Sequence, residues 1–154
     1  MDVTKQPGIE IGQIVVERAH FEHREDYLGL DPSTNAGTLP LSLTTSYALA
    51  LDGQQAAIRL ELTTDRTKRP LYVVEIVIVG IVRVKPGEAN MPLHQYAAAH
   101  GAGLLFPFVR EVVAALTGRG RFGPVWLHPV NFIASAALTH GPQPSAGVAE
   151  PQQK

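Results

Sequence analysis

Cysteine is absent from the 154-residue chain, and tryptophan occurs only once. Without a thiol, the sequence excludes disulfides, cysteine-ligated zinc and thiol catalysis. Charge is also scarce: charged residues make up 18% of the chain, against about 25% in a typical soluble domain. The 13 basic and 14 acidic residues nearly balance, so no basic field would attract nucleic acid or anionic lipid. A small domain this poor in charge either exposes apolar area or covers it with a partner.

Long hydrophobic runs are missing as well. The longest, Leu71 to Val84, is interrupted by Glu75 and Arg83 and is shorter than the roughly 20 residues that a membrane-spanning helix needs. The first residues, 1–8, have neither the basic nor the apolar region of a secretory signal. We therefore expect a cytoplasmic protein without membrane insertion. Its length fits one domain, 1–140, followed by a Gly- and Pro-rich disordered tail, 141–154.

Alternating apolar residues predict four strands. The first covers Ile11 to Phe21 and the second, Leu39 to Leu51, has an apolar residue at nearly every second position. Asp52-Gly53 then predicts a hairpin turn into a third strand, and the fourth begins at Leu71. Because these strands follow one another at hairpin spacing, the pattern predicts an antiparallel meander.

The fourth strand differs from the others because it is apolar on both faces. Residues 71–79 carry a single charge, Glu75, and do not alternate. One main helix cannot cover both faces of a four-stranded sheet, so we expect a second copy of the protein to provide the other cover. The alternative is a central strand that is buried by its own chain.

Helical spacing begins after the fourth strand. Met91 to His100 predicts a short, weak helix, and Leu105 to Leu116 predicts the main helix, with Pro107 in its first turn and Gly118 at its end. Asn131 to Leu138 predicts a short last helix. The fold class is thus α+β, a four-stranded antiparallel sheet with one long and one short C-terminal helix on one side.

Catalytic and metal-binding motifs are not found. His20 and Glu22 share one face of a strand whereas His23 points away, which is poor geometry for a metal. Carboxylates occur singly, and no serine lies in a nucleophile-elbow context. The glycine string 118–123 follows a helix and runs into Pro124, so it predicts a helix end and a turn, not a dinucleotide site. We expect no enzyme, no catalytic residue, no metal and no cofactor.

Apolar groups in two loops are the remaining candidates for function. The first loop, 22–40, is longer than most loops without regular structure, which are usually functional. These groups are either local plugs of the core or a groove for extended polypeptide. The candidate groove residues are Tyr27, Leu28, Leu30, Phe122, Trp126, Leu127 and Phe132.

Three strings in the C-terminal half resemble the SecB family of protein-export chaperones. They are Leu104–Glu111 (LLFPFVRE), Arg119–Phe122 (RGRF) and Leu127–Phe132 (LHPVNF). The family pattern there is a helix that opens Leu-Phe-Pro-Tyr-Ala-Arg-Glu, an Arg-Gly-x-Phe turn and then Leu-x-Pro-Val-Asn-Phe. A weaker correspondence reaches back to about residue 10.

The resemblance implies an ATP-independent holdase that keeps preproteins unfolded and delivers them to the SecA motor. It implies a homotetramer built as a dimer of dimers, and a client groove bordered by the first loop and the last helix. Glu22 and Glu75 match acidic SecA-docking positions of the family, whereas a third such position is Arg18 here. The expected oligomer interface comprises Val74, Ile76 and Ile78 on the fourth strand, with Phe108 and Val112 on the main helix.

The chain departs from the family at its C-terminal end, and this leaves an alternative open. The last helix is cut short by His140-Gly141-Pro142, and the tail carries only Glu150 and Lys154 as charges. Client holding is therefore better supported than delivery to SecA. The alternative is a divergent SecB-like chaperone or adaptor for one dedicated client, such as an antitoxin, without SecA.

Overall fold

Four long strands and one long helix make up the computed structural model, which describes residues 8–87 and 90–132. The strands form one antiparallel sheet in the order β1-β4-β3-β2, and the helix packs on one side of it. This confirms the predicted fold class. The predicted last helix beyond Phe132 and the predicted tail lie outside the described residues. The elements are β1 Ile9–His23, β2 Leu41–Leu49, β3 Gln55–Thr64, β4 Tyr72–Val84 and α1 Leu93–Thr117, with short 3₁₀ helices at Tyr27–Gly29 and Arg66–Lys68.

The β2–β3 hairpin turns where the sequence predicts it. The N–H of Gly53 donates to the carbonyl of Ala50 at 2.9 Å, and the Asp52 carboxylate accepts from the N–H of Gln54 at 2.9 Å. Gly53 has a φ of 65°, a left-handed value that favours glycine. The predicted Asp52-Gly53 turn is confirmed.

The prediction of two separate helices is wrong, because α1 is continuous over 25 residues. Pro107 lies in its interior, where a proline removes one backbone hydrogen bond and costs about 3 kcal/mol. Pro107 is exposed, and so is Gly103, the residue whose carbonyl loses that bond. Burial of Leu105 and Val109 against the sheet offsets this cost.

Two glycines let α1 approach the sheet closely. A Cβ atom on Gly101 of α1 would lie 2.7 Å from Cγ2 of Ile58, and a Cβ on Gly80 of β4 would lie 2.6 Å from Cδ2 of Leu105. Ile58 and Gly80 pair across β3 and β4, so the two contacts are neighbours. By length and composition α1 could cross a membrane, but its apolar stripe forms the core of this fold with the sheet. The stripe includes Ala97, Leu105, Val109 and Val113, all fully buried.

The sequence assigned Val74, Ile76 and Ile78 to an oligomer interface, but the structure places their side chains in the core of the chain itself. All three are fully buried in the core that the sheet forms with α1. A side chain that packs inside its own chain has no surface to offer a second copy. The sequence pattern did not reveal which face of β4 the helix would cover.

The middle of the outer face of β4 is also covered within the chain, whereas Val79 and Ile81 on the same face are half-buried. Val77, on the face away from α1, is 1% exposed, and it pairs with Arg18 of β1 and Glu61 of β3. The aliphatic stems of such long side chains can cover an apolar neighbour while their charges stay in water. A second copy is therefore not required to bury Val77, and most of β4 is buried by its own chain, as the alternative interpretation of the sequence has it.

Candidate functional site

An aromatic cluster joins the end of β1, the first loop and the turn after α1. The His23 ring stacks on Tyr27 with centroids 4.3 Å apart and meets Tyr72 edge-on at 5.4 Å. Phe122 completes the cluster, 5.7 Å from Tyr72 and 6.3 Å from His23. Such ring pairs add to the stabilisation that burial supplies. The cluster thus packs two loops, distant in sequence, against β4.

Hydrogen bonds fix the turn after α1 to the sheet. The Tyr72 hydroxyl accepts from the N–H of Phe122 at 2.6 Å and donates to the carbonyl of Gly123 at 3.1 Å. Burial raises the pKa of Tyr72, which keeps its donating proton in place. A Cβ on Gly120 would lie 2.6 Å from the Tyr72 oxygen, so this position requires glycine. The predicted helix end and turn are confirmed, since Gly118 caps α1.

Two further bonds tie the first loop to this turn. The N–H of Arg121 donates to Nε2 of His23 at 3.1 Å, and the N–H of Ala36 donates to the carbonyl of Phe122 at 3.3 Å. The loop thus has fixed contacts at both ends of its path.

The seven predicted groove residues divide into three groups. Phe122 and Leu127 are buried, so they are plugs of the core, the alternative that the sequence left open. Leu28 and Trp126 project into solvent, 71% and 69% exposed. Tyr27, Leu30 and Phe132 are half-buried against the core.

An apolar surface at the end of β2 was missed by the sequence interpretation. Tyr47 and Leu49 lie on the helix-facing side of the sheet but are 40% and 46% exposed, and Leu51 at the hairpin tip is fully exposed. The alternation of apolar residues along β2 is the sequence signal for this surface. The alternation is the same whether or not another element covers the apolar face, so it could not show that Tyr47 and Leu49 are exposed. β2 is an edge strand, so one side of its backbone has no neighbouring strand within the described sheet.

A largely apolar cavity of about 640 Å³ lies beside the first half of α1. Phe132 lines it and packs edge-on against Phe106 at 5.1 Å. Tyr96 also lines it, and burial raises the pKa of the Tyr96 hydroxyl. Other lining residues are Met91, Ala99, His100, Leu104 and Val130.

The outer face of the sheet carries paired charges. Arg66 contacts Glu22 and also Glu75, the latter with Nη2 3.4 Å from Oε1. The Arg66 guanidinium lowers the pKa of Glu22. Glu22 and Glu75, the two residues predicted for SecA docking, are thus brought together. Arg18 shares this face, since it pairs with Val77.

Among residues 8–87 and 90–132, no group of three or more His, Cys, Asp or Glu side chains is placed to hold a metal ion. Nε2 of His20 lies 3.4 Å from Oε2 of Glu22 on the outer face.

Comparison with known proteins gives one consistent family. The family model described as "Preprotein translocase subunit SecB" matches residues 4–137. The protein-export protein SecB of Acidithiobacillus ferrooxidans is 39% identical over 129 residues, which cover 80% of this chain and 84% of that protein. The SecB of Marinobacter nauticus is 29% identical over 155 residues, covering 96% of this chain and 90% of that protein.

The fold is that of the SecB-like chaperones. The solved SecB-like chaperone of Mycobacterium tuberculosis, in complex with a ChAD peptide from the HigA1 antitoxin, superposes with a TM-score of 0.59 at 20% identity, covering 84% of this chain and all of that one. The chain belongs to the SecB family of protein-export chaperones.

Proposed function

We propose that this chain is an ATP-independent holdase, which binds unfolded polypeptide and keeps it competent for export. The observation that carries the proposal is the exposure of large apolar side chains beside an edge strand. Leu28 and Trp126 project from the two loops, and Tyr47 and Leu49 lie uncovered on β2. Exposed apolar groups of this size on a charge-poor domain favour a binding surface.

An extended client has two ways to bind such a surface. Its backbone can add hydrogen bonds along the free edge of β2, while alternate side chains reach Tyr47 and Leu49. Its larger apolar groups can pack on Leu28 and Trp126. Burial of a few hundred Å² at about 25 cal/mol per Å² stabilises each contact modestly, and several sites on one assembly raise the overall affinity through effective concentration.

Assembly into a homotetramer, a dimer of dimers in the cytoplasm, is part of the proposal. Exposed apolar residues on the edge strand β1, among them Ile11 and Val16, support a contact between copies. On α1, Phe108 is 38% exposed, and Val112 is half-buried with part of its side chain packed against the core. These two α1 residues remain candidates for the oligomer interface.

Delivery of the client to SecA is the second step of the proposed function. The juxtaposition of Glu22 and Glu75 on the outer face supports a docking surface for a cationic partner. Arg18 on the same face opposes it by charge. Client holding uses other residues, the exposed apolar side chains of the two loops and β2, so it does not depend on this step.

The test of holding is suppression of aggregation during refolding of a model substrate, without nucleotide. We expect suppression at near-stoichiometric amounts, weakened by Trp126→Ala. No suppression at several-fold excess would contradict the proposal. Measuring binding to the same substrate in its folded form controls for specificity toward non-native chains.

The second candidate function is a SecB-like chaperone or adaptor for one dedicated client. It is favoured by the Mycobacterium tuberculosis chaperone, whose solved structure contains an antitoxin peptide. The breadth of binding discriminates the two candidates, since a general holdase captures many unfolded chains and a dedicated one captures a single protein. Copurification from the native host, with identification of the bound polypeptides, makes this measurement.

A further inference from the structure

Arg66 bridges two acidic residues that belong to different strands. One of its guanidinium nitrogens donates to Glu22 at the end of β1, and the other lies 3.4 Å from Glu75 of β4. Since one planar guanidinium presents several donors in a fork, a single arginine can satisfy two carboxylates at once. The sheet thereby joins three residues that are far apart along the chain.

The turn that carries Arg66 is held by its own hydrogen bonds. The Asp65 carboxylate accepts from the N–H of Thr67 at 3.0 Å and from its hydroxyl at 2.6 Å. The N–H of Asp65 donates to the carbonyl of Pro40 at 2.8 Å. This turn starts the short helix Arg66–Lys68, so the backbone at Arg66 is positioned next to the acidic pair.

We propose that Arg66 is an intramolecular competitor, which withholds the carboxylates of Glu22 and Glu75 from a cationic partner that docks on the outer face of the sheet. The proposal rests on the SecA-delivery step of the proposed function, whose docking surface it regulates. A partner lysine or arginine needs the same oxygens that Arg66 occupies. Docking therefore requires Arg66 to leave, and the apparent affinity of the surface is lowered by that step.

The pairing is reversible because its members remain in contact with water. The Arg66 side chain is 56% exposed, and those of Glu22 and Glu75 are 41% and 33% exposed. Exposed ion pairs are weak, and they shift an equilibrium by up to about fivefold. Arg66 thus acts as a weak competitor and not as a block.

A second arginine repeats the arrangement on the same face. Arg59 of β3 contacts Glu17 of β1 and lies 3.8 Å from Glu61 of its own strand. Two arginines therefore each join two carboxylates across this sheet. The acidic groups of the face are thus largely balanced from within the chain, so a cationic partner binds them more tightly when these contacts open.

The experiment compares Arg66→Gln with Arg69→Gln in the full-length protein. Both substitutions remove one positive charge from the same turn, but Arg69 contacts Asp26, at 3.6 Å, and not the acidic pair. The probe is a fluorescently labelled decalysine peptide, measured by anisotropy at low ionic strength. We expect Arg66→Gln to bind it about three- to fivefold more tightly than the wild type, and Arg69→Gln to stay within about twofold of the wild type.

A direct readout does not involve any partner. Because Arg66 lowers the pKa of Glu22, Arg66→Gln should raise the pKa of the Glu22 carboxyl in an NMR titration, and Arg69→Gln should leave it unchanged. The proposal is overturned if Arg66→Gln binds decalysine no more tightly than Arg69→Gln, or if the Glu22 titration does not move.

Binding of SecA to the same variants separates this proposal from the delivery step. If SecA binds no variant while the decalysine and NMR results hold, delivery is wrong and the competition stands. If SecA binds the wild type and Arg66→Gln equally well, the competition is wrong and delivery stands.

Discussion

The hydroxyl of Tyr72 accepts a hydrogen bond from the backbone N–H of Phe122 at 2.6 Å, across 50 residues of sequence. Tyr72 is fully buried in β4, and Phe122 lies in the turn after α1. The bond therefore links the sheet to the loops that carry the exposed apolar groups. Its partners are buried, so the loss of either one leaves a polar group without compensation.

Tyr72→Phe should destabilise the fold by about 1–3 kcal/mol, because the N–H of Phe122 would remain buried without an acceptor. Urea unfolding measures the change in the free energy of unfolding. Tyr47→Phe, at a half-exposed tyrosine, is the matched control and should change it by less than about 0.5 kcal/mol. Equal effects of the two substitutions would contradict the role of the Tyr72 hydroxyl.

Gly101→Ala and Gly103→Ala should change stability in opposite directions. A Cβ at Gly101 would lie 2.7 Å from the Cγ2 of buried Ile58, so overpacking should cost about 1–3 kcal/mol. At Gly103 the nearest atom lies 4.0 Å away, and alanine should stabilise the exposed helix position by about 0.5–1 kcal/mol. Thermal unfolding of both variants tests the close approach of α1 to the sheet at Gly101. If Gly101→Ala also stabilises the protein, α1 does not approach the sheet this closely.

Trp126→Ala and Leu28→Ala should weaken client capture and leave the free energy of unfolding nearly unchanged, because both side chains project into solvent. Aggregation suppression and urea unfolding give the two measurements. His128→Ala, an exposed position in the same segment as Trp126, should alter neither. Phe122→Ala should instead lower stability by about 3–5 kcal/mol, since its ring is buried. Unimpaired capture by the double variant of Leu28 and Trp126 would remove these residues from the site.

The Glu22–Arg66 pair should make stability depend on pH on the acid side. Because the pKa of Glu22 is lowered in the folded chain, its contribution is fully present above the ordinary carboxyl pKa of about 4. This contribution to stability is lost as the pH falls through the lowered pKa that Glu22 has in the folded chain. Urea unfolding at a series of pH values should show this loss in the wild type and a smaller one in Glu22→Gln. Arg66→Gln should reduce it similarly, and an unaltered pH profile would argue that the pair does not form in solution.

Phe108→Asp should dissociate the proposed assembly without unfolding the chain, because its side chain lies on α1 away from the core and is partly exposed. Light scattering at micromolar concentration measures the mass. Leu51→Asp, at the exposed hairpin tip, should leave the mass unchanged. Ile76→Asp would instead unfold the protein, since Ile76 is fully buried. An unchanged mass for Phe108→Asp would exclude this part of α1 from the interface.

Much of the local structure and the family follow from the sequence. Alternation predicts the strands, Asp52-Gly53 predicts the hairpin, and the strings around Pro107 and Asn131 indicate the SecB family. These signals are local, since they depend on residues a few positions apart. The helix was predicted to begin at Leu105 because proline favours a first turn. In the structure α1 continues through Pro107, since burial of Leu105 and Val109 against the sheet offsets the lost backbone hydrogen bond.

Only the tertiary structure decided which apolar faces are covered. Ile58 and Tyr47 pair across β2 and β3 on one face of the sheet, yet Ile58 is fully buried and Tyr47 is half-exposed, because α1 packs over the central strands. The same placement puts Val74 and its neighbours in the core, and it brings Arg66 onto Glu22 and Glu75. A periodic pattern specifies which side of a strand is apolar, whereas the element that covers that side depends on the order of strands and the path of the chain.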